Sequence, residues 1–263
     1  MSLTVEPHSL PPRSAEPDGT KSVLGKVQTI LGAFTAEDDA LSLTELVRRT
    51  GVAKATVYRL SQELLNWGFL ERSGSDYRLG LRLFEMGQRV PRQRILRQAA
   101  LPYMEDLLLA TQETIHFAVA DGVDVLYIEK IITHRGLSQQ SRIAGRLPLY
   151  CTATGRVILA HGSRQLLAEV LRNGMPPLTR HTVRTPSALI GQLQQVRQNQ
   201  YAVEFEETRL GYGSIAVPVF GPHCVVAGAL SITAPTVRLH VDRFRGSLQT
   251  AAHGISRRLQ PSD

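Results

Sequence analysis

Two apolar runs at helical spacing, separated by Gly51, constrain this chain more than any other feature. Leu43, Leu46 and Val47 mark the inward face of a short helix that Ser42 or Thr44 can cap. Val57, Leu60 and Leu64 mark the buried side of a second helix over 54–66. Gly51 sits where the first of these must stop, and only glycine takes the left-handed C′ conformation without a Cβ penalty. Upstream, Leu24, Val27, Leu31 and Phe34, widened by Val23 and Ile30, predict a helix over about 22–34, followed by an acidic turn at Ala36–Ala40. Downstream, Phe69-Leu70 and Tyr77-Arg78-Leu79 bracket Ser73-Gly74-Ser75-Asp76, which predicts a short β-hairpin. Helix, helix, tight turn, helix and hairpin make a winged helix-turn-helix.

Charge falls on the same stretch. The formal net charge is +7, and residues 42–98 hold eleven basic side chains against five acidic ones, whereas 1–41 is net negative. Such a concentration is where a polyanion would dock. At ~1.5 Å rise per residue the helix over 54–66 is about 20 Å long, and a major groove is about 12 Å wide. Lys54, Tyr58 and Arg59, flanked by Thr56 and Gln62, lie away from the apolar stripe and are the candidates to reach base edges or phosphates. Arg72 and Arg78 on the hairpin are the candidates for the DNA backbone. A three-helix protein-binding module with a solvated basic face would share the helical periodicity; the hairpin and the basic excess favour DNA.

Composition closes off other classes. A hydrophobic fraction of 43% is that of a folded chain, and no apolar run approaches the ~18 residues of a membrane helix. Residues 1–20 carry four prolines and no apolar segment, so they read as a flexible tail rather than a secretory signal. Two cysteines, Cys151 and Cys224, cannot build a disulfide framework, fit a reducing cytoplasm, and read most simply as buried thiols; pairing between them stays open. The eight histidines show no metal-ligand spacing, so no metal and no cofactor is expected. Gly211-Tyr212-Gly213-Ser214-Ile215-Ala216 imitates a dinucleotide fingerprint, but Val217-Pro218-Val219 continues it as a strand where a helix would have to open.

The rest of the chain reads as helices mixed with antiparallel strands. Arg82–Arg97 suggests two arginine-rich helical pieces broken at Pro91, and Leu101, Met104, Leu107 and Leu108 predict a helix over Ala99–Gln112 with Pro102 in its first turn. Thr114–Ala120 and Val123–Ile132 flank the turn signal Asp121-Gly122. A second hairpin joins Ala216–Phe220 to Val225–Thr233, and helices are expected at Gly155–His161, Gln165–Leu171 and Ser187–Asn199. His116 reads as a core or pocket histidine. The fold class is α+β.

Residues 41–87, LSLTELVRRTGVAKATVYRLSQELLNWGFLERSGSDYRLGLRLFEMG, closely resemble the N-terminal domain of IclR-type bacterial transcription regulators. The blocks at 111–131, 142–160 and 201–235 resemble successive parts of that family's effector-binding domain, and the resemblance runs from about 21 to 260. It implies a GAF-like or profilin-like antiparallel sheet with flanking helices. It implies a tail over 1–20, a DNA-binding domain over 21–82, a linker helix over 83–98 and an effector-binding domain over 99–263. Carried over by position, the effector pocket falls on Leu147, Ala153, Thr154, Glu204, Ser214, Ser231 and Thr233. This chain departs from the family pattern there: Glu204 stands for an aspartate, Ser214 for a cysteine, Thr233 for a serine, and Tyr150 and Arg156 for a histidine and a lysine.

The resemblance implies a ligand-responsive regulator that binds double-stranded operator DNA as a homodimer or homotetramer, with a small organic or aromatic acid as effector. The alternative is a small-molecule-processing enzyme with a helical appendage, for which Glu204, Ser214 and His116 would supply the polar groups, but no nucleophile–base spacing supports it.

Overall fold

A computed structural model describes residues 22–35, 37–132 and 143–260. The expected tail at 1–20 and Ala36 of the acidic turn lie outside the described residues. The chain divides into two compact units, one ending at Pro91 and the other beginning at Arg92.

The first unit opens with α1 (Val23–Gly32) and α2 (Leu43–Thr50). Ser42, not Thr44, caps α2, accepting from Glu45 N–H at 3.1 Å. Gly51 ends it at φ 66°, ψ 6° with its N–H on Val47 O. The third helix, α3 (Lys54–Asn66), leads into the antiparallel pair β1 (Leu70–Ser73) and β2 (Asp76–Leu79). Leu41 pairs with Tyr77 across the free side of β2, so the hairpin is bound to the segment preceding α2. Ile30, Leu46, Val57, Leu60, Leu64, Leu70 and Tyr77 form the core of this winged helix-turn-helix. Each fully buried aliphatic side chain contributes roughly 1.5–3 kcal/mol. The unit continues into α4 (Leu81–Gln88), none of whose residues is buried.

The second unit begins on α5 (Pro91–Thr111). Pro91 separates α5 from α4 as expected of a break, but the helix expected to start at Ala99 is continuous with the second arginine-rich piece. Pro102 therefore sits inside α5 and not in a first turn. The apolar stripe Leu96, Ala99, Ala100, Met104 and Leu107 runs through the proline and keeps the helix on the sheet.

The sheet comprises β3 (Thr114–Asp121), β4 (Asp124–Ile131), β5 (Arg146–Pro148), β6 (Ala202–Phe205), β7 (Tyr212–Phe220) and β8 (Val226–Pro235). It is antiparallel throughout, in the order β5-β4-β3-β8-β7-β6. Between β5 and β6 lie α6 (Ala153–His161), α7 (Arg164–Asn173) and α8 (Pro186–Asn199), and α9 (Val241–Arg258) closes the chain.

One sheet face packs on α5 and α9 through Ile115, Phe117, Ile215, Val217, Leu230 and Ile232. The other packs on α6 and α8 through small residues, Ala118, Ala202, Ala216 and Ala229. The sequence signal for β5 and β6 is weak because strands of three and four residues show no alternation. Cys151 is buried, but Cys224 is exposed in the turn between β7 and β8, and both thiols are free. A loop residue has no core to enter, so the buried reading of Cys224 does not hold.

Candidate functional site

The first unit presents α3 and the hairpin to solvent. Lys54, Arg59, Arg72 and Arg78 are exposed and Tyr58 is half open, whereas Thr56 and Gln62 are half-buried. The Gln62 amide donates to the Tyr77 hydroxyl at 3.4 Å, and the Arg72 guanidinium stacks 4.3 Å over the Tyr77 ring. One core tyrosine thus ties α3 to the hairpin. The start of α3 has Ala53 as its cap and no side-chain acceptor for its first amides, which leaves the positive end of a helix dipole open to an anion beside Lys54.

Most other arginines here already hold carboxylates. Arg59 pairs with Glu63 at 2.5 Å and Arg78 with Glu71 at 2.9 Å. Arg48 and Arg49 share Glu45, whose carboxyl they hold down to about 2, and Arg49 also holds Asp38 well below the usual range. Glu71 accepts the Leu81 N–H at 3.0 Å as well, which caps α4 from the hairpin.

The second unit gathers the other expected residues on the α6 side of the sheet. Register places Glu204 opposite Ser214, Ser214 opposite Thr233, and Ser231 opposite His116. The Ser214 and Thr233 hydroxyls are 2.9 Å apart, and Thr233 Oγ1 stands 3.4 Å from His116 Nδ1. The Ser214 hydroxyl also bonds the Glu204 carboxyl. Four side chains from four adjacent strands therefore form one polar row, with Ala118, Ala202, Ala216 and Ala229 beside it on the same face.

Burial pushes Glu204 up to about 7, against hydrogen bonds from Glu207 N–H and Ser214, with the Glu207 charge adding to the rise and Arg156 opposing it. Burial, helped by the Lys130 charge, holds His116 down at about 3, so its imidazole is neutral at neutral pH.

Across from the row stands the start of α6, where Thr152 caps Gly155 N–H at 3.0 Å. Ala153 and Thr154 occupy its first turn, both buried. Thr154 Oγ1 is buried with no hydrogen-bond partner of good geometry, and the Tyr127 hydroxyl lies beside it and within the field of Glu204. Tyr127 lies on this face with Val125, paired with Ala118 in the register that runs unbroken from the Asp121–Asp124 turn, and its ring stands 4.9 Å from His116. Alternation from the turn puts Tyr127 on the same face as Val125, but the sequence expectations did not single it out as a site residue. Leu147 on β5 lies opposite Val125, half-buried among the apolar residues of this face, and no polar contact joins it to the row.

Residues 23–74 match the IclR helix-turn-helix domain, and residues 88–257 match the bacterial transcriptional regulator IclR C-terminal domain. The chain belongs to the IclR family of bacterial transcriptional regulators. It is 38% identical over 247 residues to the HTH-type transcriptional regulator KdgR of Escherichia coli, covering 92% of this chain and 93% of KdgR. It is 33% identical to XynR of the same organism, covering 88% and 94%. An IclR homolog from Microbacterium hydrocarbonoxydans, solved with 4-hydroxybenzoate, superposes with a TM-score of 0.85 at 31% identity over 90% of this chain and 99% of that one. The Thermotoga maritima IclR gives 0.75 at 28% identity over 90% and 98%.

An IclR regulator has a DNA-binding and an effector-binding half, and the two residue sets lie one in each unit of this chain. Among the described residues no group of three or more His, Cys, Asp or Glu could hold a metal ion, and no helix is long and apolar enough to cross a membrane.

Proposed function

We propose that this IclR regulator binds double-stranded operator DNA through Lys54, Thr56, Tyr58, Arg59, Gln62, Arg72 and Arg78, and that a small organic or aromatic acid binds the polar row and the start of α6. It works in the cytoplasm, needs no cofactor and releases its effector unchanged. Residues 21–82 form the DNA-binding domain, 83–98 the linker and 99–263 the effector-binding domain.

One observation carries the effector reading. Thr154, a buried hydroxyl approached by the Tyr127 hydroxyl at poor geometry, and the first turn of α6 lie on the face of the sheet that carries a row of hydroxyls ending on a buried carboxyl. A few polar groups in an apolar lining are the pattern of a small-molecule site. The helix N-terminus suits the ligand's carboxylate. Glu204, Ser214, Thr233 and Ser231 then suit a hydroxyl or carbonyl at the other end, the lining to which Leu147 adds an apolar wall. A regulator solved with 4-hydroxybenzoate carries a carboxylate and a hydroxyl at opposite ends of its ligand.

The protein acts as a homodimer or homotetramer. Leu81, Phe84 and Met86 of α4 and Val23 and Leu24 of α1 are all exposed, apolar side chains that a second copy would cover. In a dimer two α3 helices reach half-sites on the order of 34 Å apart or multiples of it. The effector shifts DNA affinity by binding one arrangement of the two copies more tightly, with a coupling of typically 1–3 kcal/mol.

The test begins with DNA fragments of the source genome retained by the purified protein at physiological salt. Sequencing should recover a pseudo-palindrome, and organic acids should change its affinity. Ser214→Leu should keep DNA binding and lose the response. No recovered site overturns the DNA reading, an unchanged ligand midpoint in Ser214→Leu overturns the pocket, and consumption of the acid during incubation favours the enzyme alternative.

A further inference from the structure

Arg156 lies on α6 beyond Thr154, with its side chain 3% exposed. Its guanidinium donates to three separate elements. Nε reaches Tyr150 O at 3.2 Å, Nη1 reaches Val203 O at 3.2 Å, and Nη2 reaches Glu207 Oε2 at 2.5 Å. Every acceptor adjoins a wall of the effector site. Tyr150 belongs to the turn that leads into α6. Val203 directly precedes Glu204 on β6, and Glu207 donates its own N–H to Glu204 Oε2 at 3.0 Å.

We propose that Arg156 is the positioning residue that fixes the gap between the α6 wall and the Glu204 wall, and so selects the length of acid the site accepts. The proposal rests on the effector-site reading above and goes further, because it assigns size selectivity to a side chain outside the ligand row.

The surroundings make the guanidinium a strut and not a bystander. On the α6 side the first turn is already jammed: a Cβ on Gly155 would stand 2.2 Å from Leu149 O. On the β6 side Glu207 is held from behind, since Thr182 donates to Glu207 O at 2.6 Å and Val183 N–H donates to Glu207 Oε2 at 3.0 Å. With each wall rigid in itself, the spacing between them is set by what bridges them. A planar fork of fixed N–H directions can serve three acceptors at once, whereas a lysine ammonium is a single point on a flexible stem. Arg156→Lys therefore keeps the charge and loses the strut.

The probes are glycolate, 3-hydroxypropionate, 4-hydroxybutyrate and 4-hydroxybenzoate, each with a carboxylate and a hydroxyl at increasing separation. Calorimetric titration of the full chain should show affinity peaking at one length. Arg156→Lys and, separately, Glu207→Gln should change the ratio of Kd between the longest and shortest acids by at least tenfold. Glu207→Gln serves if Arg156→Lys fails to fold. A wild type that binds none of the four overturns the effector-site reading itself. A peaked wild-type series that keeps its rank order in a folded variant, with all affinities lowered alike, leaves the site standing and overturns the role of Arg156, which would then be structural only.

Discussion

The two units place their ion pairs in opposite settings. In the winged helix-turn-helix, Arg59–Glu63 and Arg78–Glu71 are exposed, with side chains 58% and 53% open on the arginine side. In the sensor unit, Arg156–Glu207 is sealed, at 3% and 9%. Exposed pairs are worth about 0–1 kcal/mol, so phosphate can replace the carboxylate at little cost. A buried pair is held by geometry, and removing one partner strands the other. On the function proposed above, a surface that exchanges partners with DNA uses the first kind, and a site that keeps its shape while a ligand comes and goes uses the second.

Four substitutions press on that contrast. Arg156→Met should cost the sensor unit about 3–5 kcal/mol, because Glu207 stays buried without its cation; thermal unfolding reads this, and a loss under 1 kcal/mol would place the pair with the exposed ones. Next is Glu204. Its folded pKa of about 7 stands above the ordinary value of 4.5, so the folded state holds a proton the unfolded state releases. Stability is then full below about pH 4.5 and falls as pH rises towards 7, by roughly 1–3 kcal/mol. Glu204→Gln should flatten that part of the pH–stability curve, and an unchanged slope would show that another group carries it.

On the DNA side, Arg59→Ala should weaken operator binding by about 1–3 kcal/mol if it reads a base edge while leaving the melting temperature in place. A fall in melting temperature of several degrees would mean that the Arg59–Glu63 pair supports the fold. The smallest effect belongs to Glu63→Gln, which frees Arg59 and removes a negative charge from the face proposed to meet the duplex. It should tighten non-specific binding at low salt by about 0.5 kcal/mol, the scale of one i,i+4 pair, and a fluorescence titration against random duplex DNA would detect it.

Much of this was legible along the chain. Gly51, the stripes at 43–47 and 57–64, and the bracketed turn at 73–76 yield the winged helix-turn-helix because its contacts are local and each helix shows its own period. The hairpin joining β7 to β8 is legible for the same reason. The stripe Phe244, Leu248, Ala252 and Ile255 of α9 was equally readable, although it was not among the helices expected. The closeness of the Tyr127 ring to His116, the isolation of Leu147 from the polar row, and the exposure of Cys224 were not readable.

Sequence alone determined the elements of the first unit and the two main hairpins of the second, the concentration of basic charge and, through the family blocks, which residues to look for in the sensor unit. Tertiary structure alone decided that Glu204, Ser214, Thr233 and His116 form one row, that Thr154 is buried beside the Tyr127 hydroxyl, and that Arg156 bonds Tyr150, Val203 and Glu207. The reason is physical: these residues are separated by up to 117 positions along the chain. They meet only because four antiparallel strands stack in register, and the burial that shifts Glu204 and His116 exists only once α6 covers that face.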